Sequence, residues 1–285
     1  MRVSTYCRLI VDCVGLFCWC IYCSAAAAAP VDPADNVNIL IFGVLPSESA
    51  VAKFQRYAPL RNYLSDKLKR RVMLQTASNF PEFLKRTDER KYDFIETAPH
   101  FVPRAVNSGR YEVLTTITQP LSAYIVVKST ANFYSVKELA GKIIATPSPK
   151  AVITKLGKET LSNMGLRDSN KPVYENHRTH NAAYEAVLGG QADAAIISVN
   201  VFNKALKKNA PLRAIAKSKL IPNMSILVAT DLPEPLKNVL LRSLVEMGNN
   251  PDGREVMKKM TYPGYRKAEL EEFTSLIHYF EPLSN

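Results

Sequence analysis

Residues 111–128 read YEVLTTITQPLSAYIVVK, and residues 212–229 read LRAIAKSKLIPNMSILVA. Each stretch holds two strand-like runs, 111–118 then 123–128 and 212–216 then 225–229, with no helical period between them. Outside these stretches strands and helices alternate. A strand over 37–45 (VNILIFGVL) precedes a helix over 50–68, whose broad apolar face is Val51, Phe54, Tyr57, Ala58, Tyr63, Leu64 and Leu68. A strand over 72–77, a helix over 80–90, a strand over 92–96 and a helix over 99–107 follow. Between the two quoted stretches the rhythm resumes, with strands over 143–146, 172–174 and 192–198. Its helices cover 136–139, 152–164, 180–188 and 201–208. Helices over 236–247, 254–260 and 268–279 close the chain. Strict β-α alternation marks a largely parallel sheet, and a strand directly after a strand marks a change of sheet. The expected fold is therefore α/β, two α/β lobes joined by two extended crossings. Residues 37–120 and 231–285 form the first lobe, and 121–230, with both crossings, the second. The rival, one doubly wound sheet, needs about ten strands and gives no reason for the two strand-strand junctions.

Composition narrows the function. The 285 residues are 47% hydrophobic and 22% charged, with 11 Gly and 18 Pro, which excludes disorder, collagen and a polytopic membrane protein. All five cysteines (Cys7, Cys13, Cys18, Cys20 and Cys23) and the single Trp19 fall in the first 23 residues. The remainder therefore holds no disulfide framework, zinc-cysteine site or cysteine nucleophile. Arg2 and Arg8, an apolar run over 9–23, then Ala25–Ala29 and Pro30 make the positive, apolar and small-residue parts of a secretory signal peptide over 1–29. A retained membrane anchor is the rival, opposed by Asp12 and the alanine tail. Removing 29 residues from 285 leaves 256, and the loss of Arg2, Arg8 and Asp12 takes the net charge from +11 to +10. No block of like charge and no aromatic-basic interleaving points to nucleic acid. The densest basic cluster, Lys67, Lys69, Arg70 and Arg71, complements a helix end or is solvated.

In open α/β sheets ligands bind beyond the carboxyl ends of strands, where helix N-termini offer unpaired amides to anions. Four such junctions stand out. Pro46-Ser47-Glu48-Ser49 offers two capping hydroxyls, and the bland alternative is a plain cap. Glu96-Thr97-Ala98-Pro99 puts a cap before a first-turn proline, with Glu96 holding either an amine or a neighbouring Lys or Arg. In Thr146-Pro147-Ser148-Pro149-Lys150-Ala151, Ser148 as cap and Pro149 at the first helical position would leave the amides of Lys150 and Ala151 open to an anion, with the Lys150 charge beside them. His177-Arg178-Thr179-His180-Asn181 places His180 in a first turn, able to donate to a ligand oxygen. The His177–His180 spacing suits a metal, but no further Cys or His accompanies it, so no metal is expected. No GxSxG, P-loop, GxGxxG or HExxH supports catalysis or a cofactor, and carboxylate pairs such as Glu271-Glu272 read as solvated surface.

Six segments in order are similar to one family. They are GVLPSES (43–49), YDFIETAPHFVPRA (92–105), SVKELAGKIIATPSPKA (135–151), HNAAYEAVLGGQADAAIISVNVF (180–202), SKLIPNMSILVATDLP (218–233) and NPDGREVMKKM (250–260). Over about residues 37–279 the chain resembles the periplasmic substrate-binding components of phosphate, phosphite and phosphonate ABC importers. The resemblance implies a type 2 periplasmic binding protein that closes two lobes on a small oxyanion and hands it to an inner-membrane permease, as a monomer without cofactor. It also implies that Ser47, Glu48 and Ser49 lie in the first ligand loop, Thr97 and Ala98 in the second, that His180 faces the ligand and that Asn200 lies near a polar contact. The third loop departs: where the family commonly carries a hydroxyl-rich run ending in glycine, this chain has Ser148-Pro149-Lys150-Ala151. Fewer neutral donors and one added cation leave another oxyanion or a different small solute open. Two other readings stand beside transport: an exported ligand sensor on the same fold, and an enzyme, which would need a nucleophile or cofactor residue that the sequence does not offer.

Overall fold

The computed structural model describes residues 39–47 and 49–280; the leader expected over 1–29 and the candidate Glu48 lie outside them. The chain begins with β1 (Ile39–Val44), α1 (Ala50–Leu68), β2 (Arg71–Gln75), α2 (Phe80–Asp88) and β3 (Phe94–Thr97). A 3-10 turn (Pro99–Phe101) leads into α3 (Val102–Asn107), then β4 (Tyr111–Ile117) and β5 (Ala123–Lys128). After a 3-10 turn at Val136–Leu139 come β6 (Ile143–Thr146), α4 (Val152–Asn163), β7 (Val173–Asn176), α5 (His180–Leu188), β8 (Ala194–Ser198), α6 (Val199–Lys207) and β9 (Leu212–Lys217). The return runs through β10 (Ser225–Ala229), α7 (Glu234–Val245), α8 (Pro251–Met260), β11 (Tyr265–Lys267) and two 3-10 turns (Leu270–Glu272 and Thr274–Tyr279).

Two sheets result, ordered β11-β4-β10-β3-β1-β2 and β7-β6-β8-β5-β9. Each has a parallel trio, β2-β1-β3 and β7-β6-β8, flanked by the strand that has just arrived from the other sheet. β10 runs antiparallel to β3 and β4, and β5 antiparallel to β8 and β9. This exchange explains the helix-free junctions: a strand that crosses directly must enter its new sheet against the grain. The return crossing thus adds Ser225–Ala229 to the first sheet, although the sequence reading groups it with the second lobe. The crossings are pinned to each other by a two-way backbone pair, Leu121 with Ile221 at 2.9 Å in both directions, and by Asn223 Nδ2 donating to Gln119 O at 2.9 Å.

The two lobes share one local device. Asp93, just before β3, accepts from Ile41 N of β1 at 2.6 Å while its own amide donates to Ile41 O. Asp193, just before β8, accepts from Ile143 N of β6 at 2.9 Å while its amide donates to Ile143 O. Each aspartate fixes the register of neighbouring parallel strands where the ladder starts, so the acidic residues in YDF and ADA are structural. Close packing needs glycine twice: a Cβ on Gly43 would stand 2.6 Å from the Tyr92 ring, and one on Gly157 of α4 2.4 Å from Ile196 of β8.

Phe42, Tyr57, Leu60, Leu64, Phe94, Ile226 and Leu240 fill the core between the first sheet and α1, α7 and α8. α1 buries Lys53, Tyr57, Leu60, Tyr63, Leu64 and Leu68, whereas Val51 and Phe54 of the expected face are 66% and 41% exposed. The buried stripe follows the 3.6-residue period from Lys53, and Val51 falls off it. The terminal segment also differs from expectation. Instead of a helix over 268–279 there are two 3-10 turns, preceded by the edge strand β11, which pairs with β4. A buried cluster runs from Phe101, Leu276 and Tyr279 on the side of the first sheet to Val152, Leu156 and Leu161 of α4. There the Tyr279 hydroxyl donates to the Glu159 carboxylate, which Lys219 approaches at 3.4 Å.

Candidate functional site

The carboxyl ends of β1 and β3 in one sheet, and of β6, β7 and β8 in the other, carry the sequence-predicted site residues that the structure describes. After β1, Ser47 and Ser49 are exposed, and Ser49 caps α1 by accepting from Ala52 N at 3.3 Å. After β3, Thr97 and Ala98 are buried, Ala98 is the cap of the 3-10 turn and Pro99 takes its first position. Alternation along β3 sends Phe94 and Glu96 to the α1 side, and Ile95 and Thr97 to the opposite side.

Glu96 is fully buried, beside the charges of Lys53 and Arg56 on α1. It accepts from the Tyr57 hydroxyl, which lies 2.8 Å from the Tyr262 hydroxyl, and Tyr262 reaches its other oxygen at 3.5 Å. Burial raises the Glu96 carboxyl above its usual range, with the Lys53 charge opposing. The Lys53 ammonium, itself buried, sits 5.2 Å over the Tyr57 ring. Neither Lys53 nor Tyr262 could be found from sequence: a lysine on an apolar helix face reads as snorkelling surface, and Tyr262 lies 166 residues from Glu96.

In the second sheet the third loop is arranged differently from expectation. α4 starts at Val152 with Ala151 as its cap, and Ser148 does not cap it. Ser148 closes a turn instead: its hydroxyl accepts from Lys150 N at 3.3 Å and its carbonyl from Ala151 N at 3.0 Å. The amides of Lys150 and Ala151 are thus already occupied, because Pro149 bends the chain into a turn before the helix rather than into its first position. Val152 and Ile153 carry the first-turn amides without intrahelical partners. Ser148 and Ala151 are half-buried, and the Lys150 side chain is exposed.

Thr179 caps α5 as expected, accepting from Ala182 N at 3.0 Å. His180, in the first turn, is half-buried, and its Nδ1 accepts from Ser198 N at 3.4 Å. Burial pushes its pKa down to about 4, so the ring is neutral, its proton sits on Nε2, and Nε2–H is the donor left for a ligand. Asn200, in the first turn of α6, is exposed.

The sharpest feature is a set of buried polar atoms without a partner. Thr97 Oγ1, both ring nitrogens of His100, Ser122 Oγ and His177 Nε2 all lie on these strand ends or on the outgoing crossing, five of nine such atoms among the described residues. Buried polar groups are otherwise almost always paired, so a cluster of orphans marks a place for a ligand or water. His100 was within sight of sequence reasoning, inside ETAPHF, but a histidine after a helix-starting proline reads as ordinary surface. A surface depression of about 420 Å³, lined by Gln119, Arg254, Lys258 and Tyr262 among others, includes none of these residues.

Residues 42–273 match the model of a family described as ABC transporter, phosphonate, periplasmic substrate-binding protein. The chain belongs to that family. Its members bind small phosphonate ligands and work with ABC permease components in the periplasm, so the match is to transport and not to sensing. Among solved structures this phosphonate-binding family member is similar to PhnD1 from Prochlorococcus marinus in complex with methylphosphonate, with TM-score 0.73, 15% identity, and 85% of this chain and 97% of that one covered. It is also similar to a binding protein component of an ABC phosphonate transporter from Pseudomonas aeruginosa, with TM-score 0.67, 15% identity and 85% of each chain covered. A Xanthomonas citri protein bound to chloride gives TM-score 0.72 at 13% identity, covering 85% of this chain and 97% of that one. The fold is that of a type 2 periplasmic binding protein. Among the described residues of this family member no helix is long and apolar enough to cross a membrane.

Proposed function

We propose that this chain is exported by cleavage of the leader over 1–29 and captures a small oxyanion of the phosphonate class between its lobes, which then deliver it to the permease. The lobes, 37–120 with 225–285 against 121–224, close about the Leu121–Ile221 crossing. The protein works as a monomer, without cofactor, catalysis or nucleic acid. The ligand shell draws on Ser47, Glu48 and Ser49 from the first loop, Thr97 and Ala98 from the second, Ser148, Lys150 and Ala151 from the third, and His180 and Asn200.

One observation carries the reading: buried, partnerless polar atoms gather where the strands of both sheets end and helices begin. The neutral His180, with Nε2–H as its remaining donor, adds a contact suited to an oxyanion, and the similar PhnD1 holds methylphosphonate. Because the third-loop amides are occupied, the exposed Lys150 supplies charge rather than geometry there. Calorimetric titration of the mature protein with methylphosphonate, phosphite, phosphate and sulfate tests this. Binding of at least one of the first three is expected, and His180→Ala should weaken it by about tenfold or more, a hydrogen bond to a charged group being worth about 1.5–3 kcal/mol. Absence of binding to all four rejects the oxyanion reading.

A further inference from the structure

Thr97 ends β3 on the side facing away from Tyr57 and Glu96, and His100 follows in the 3-10 turn. Thr97 is 1% exposed and His100 3%, yet the hydroxyl and both ring nitrogens have no partner. The ring packs on Phe101, which belongs to the buried cluster that continues into Val152 and Leu156 of α4. Residues of the second lobe thus share the buried cluster on which the His100 ring packs. The field of Lys155, on α4, reaches the ring and adds to burial in lowering its pKa to about 3, so His100 is neutral and offers one N–H and one lone pair. Such groups incur a desolvation cost that only a partner supplied from outside the chain can offset.

Resting on the oxyanion reading of the cleft, we infer that His100 joins Thr97 as a ligand-contacting residue of the first lobe, the two being uncharged hydrogen-bonding groups that touch a phosphonate-class oxyanion as the lobes close. This assigns His100 a binding role beside His180. His180 has one ring nitrogen tied to Ser198 N and reaches the ligand from the second lobe, while His100 reaches it from the first. With both rings neutral, neither histidine supplies an imidazolium charge to the ligand. The Ser122 hydroxyl, on the outgoing crossing, is likewise buried and without a partner.

The inference predicts a signature that a packing role does not give. Replacing an orphaned polar group by an apolar one of similar shape is neutral or stabilising for the unliganded protein, whereas a ligand loses a hydrogen bond. Thr97→Val and His100→Phe, each titrated with methylphosphonate and phosphite and melted without ligand near neutral pH, should bind about tenfold or more weakly while melting at or above the wild-type temperature. His100→Gln, which keeps a donor and an acceptor, should recover part of the affinity. If wild type and His180→Ala behave as proposed but Thr97→Val and His100→Phe bind like wild type, this inference falls and the oxyanion reading stands. If the two variants melt lower and bind normally, an internal water satisfied these groups and the inference is wrong. If wild type binds neither probe, both fall together. Should His100→Phe not fold, Thr97→Val and His100→Gln decide the matter by the same criteria.

Discussion

His100→Phe also alters how the fold responds to acid. The His100 ring is held neutral in the folded protein with a pKa of about 3, against 6.5 for an ordinary histidine. A group whose folded pKa is depressed contributes stability above its unfolded pKa and loses it as the pH falls towards the folded value. The window here runs from 6.5 down to about 3. At about pH 5 the unfolded chain is favoured by RT ln(1 + 10^1.5), about 2 kcal/mol, through this one ring, and at about pH 7.5 by almost nothing. His180, with a folded pKa of about 4, contributes a further loss of about 2 kcal/mol over the same interval. Glu96 acts in the opposite sense: its folded carboxyl is raised, so it favours the folded state at low pH and that contribution fades as the pH rises. Glu96 remains in the variant, so comparing wild type and His100→Phe at both pH values cancels it. Urea denaturation at about pH 7.5 and about pH 5 should show the loss of stability on acidification reduced by about 2 kcal/mol in His100→Phe. An unchanged difference between the two pH values would mean that His100 takes up a proton without unfolding, and the account of a ring buried in its neutral form would be refuted.

Other substitutions test other links. Lys150→Ala should weaken methylphosphonate binding less than His180→Ala does, with an effect that shrinks as salt is added, because its ammonium is exposed; equal losses at low and high ionic strength would contradict this. Lys67→Ala, on the exposed turn of α1 where the ammonium lies 5.3 Å over the Tyr63 ring, should leave calorimetric affinity unchanged. Gly157→Ala forces a methyl to 2.4 Å from Ile196 and should destabilise by about 1–3 kcal/mol in urea, with wild-type stability as the contrary result. Asp193→Ala strips the partner from Ile143 N and should lower stability by about 1–3 kcal/mol, as should Asp93→Ala for Ile41 N in the other lobe; a loss in one variant alone would show that the two clasps are not equivalent.

The order of elements was legible because period and capping act locally. The apolar period from Ala50 to Leu68, the Thr179 cap and the strands at Ala123–Lys128 and Ser225–Ala229 are present in the chain as written. The two helix-free junctions announced two sheets because a connection without a helix cannot join parallel neighbours. Tertiary structure decided what those junctions mean for pairing. Nothing in SILVA says that it inserts between β3 and β4, and the three-residue β11 is too short to signal itself. The site divides in the same way. Ser49, Thr97 and His180 were visible as helix-start residues, but whether the third-loop amides are open depended on the turn that Ser148 closes. That Glu96 faces Tyr57 and Tyr262 while Thr97 and His100 remain unpaired depended on which side of β3 each helix covers. A sequence records which groups want partners; burial and long-range contact decide which obtain one from the chain and which are left for a ligand.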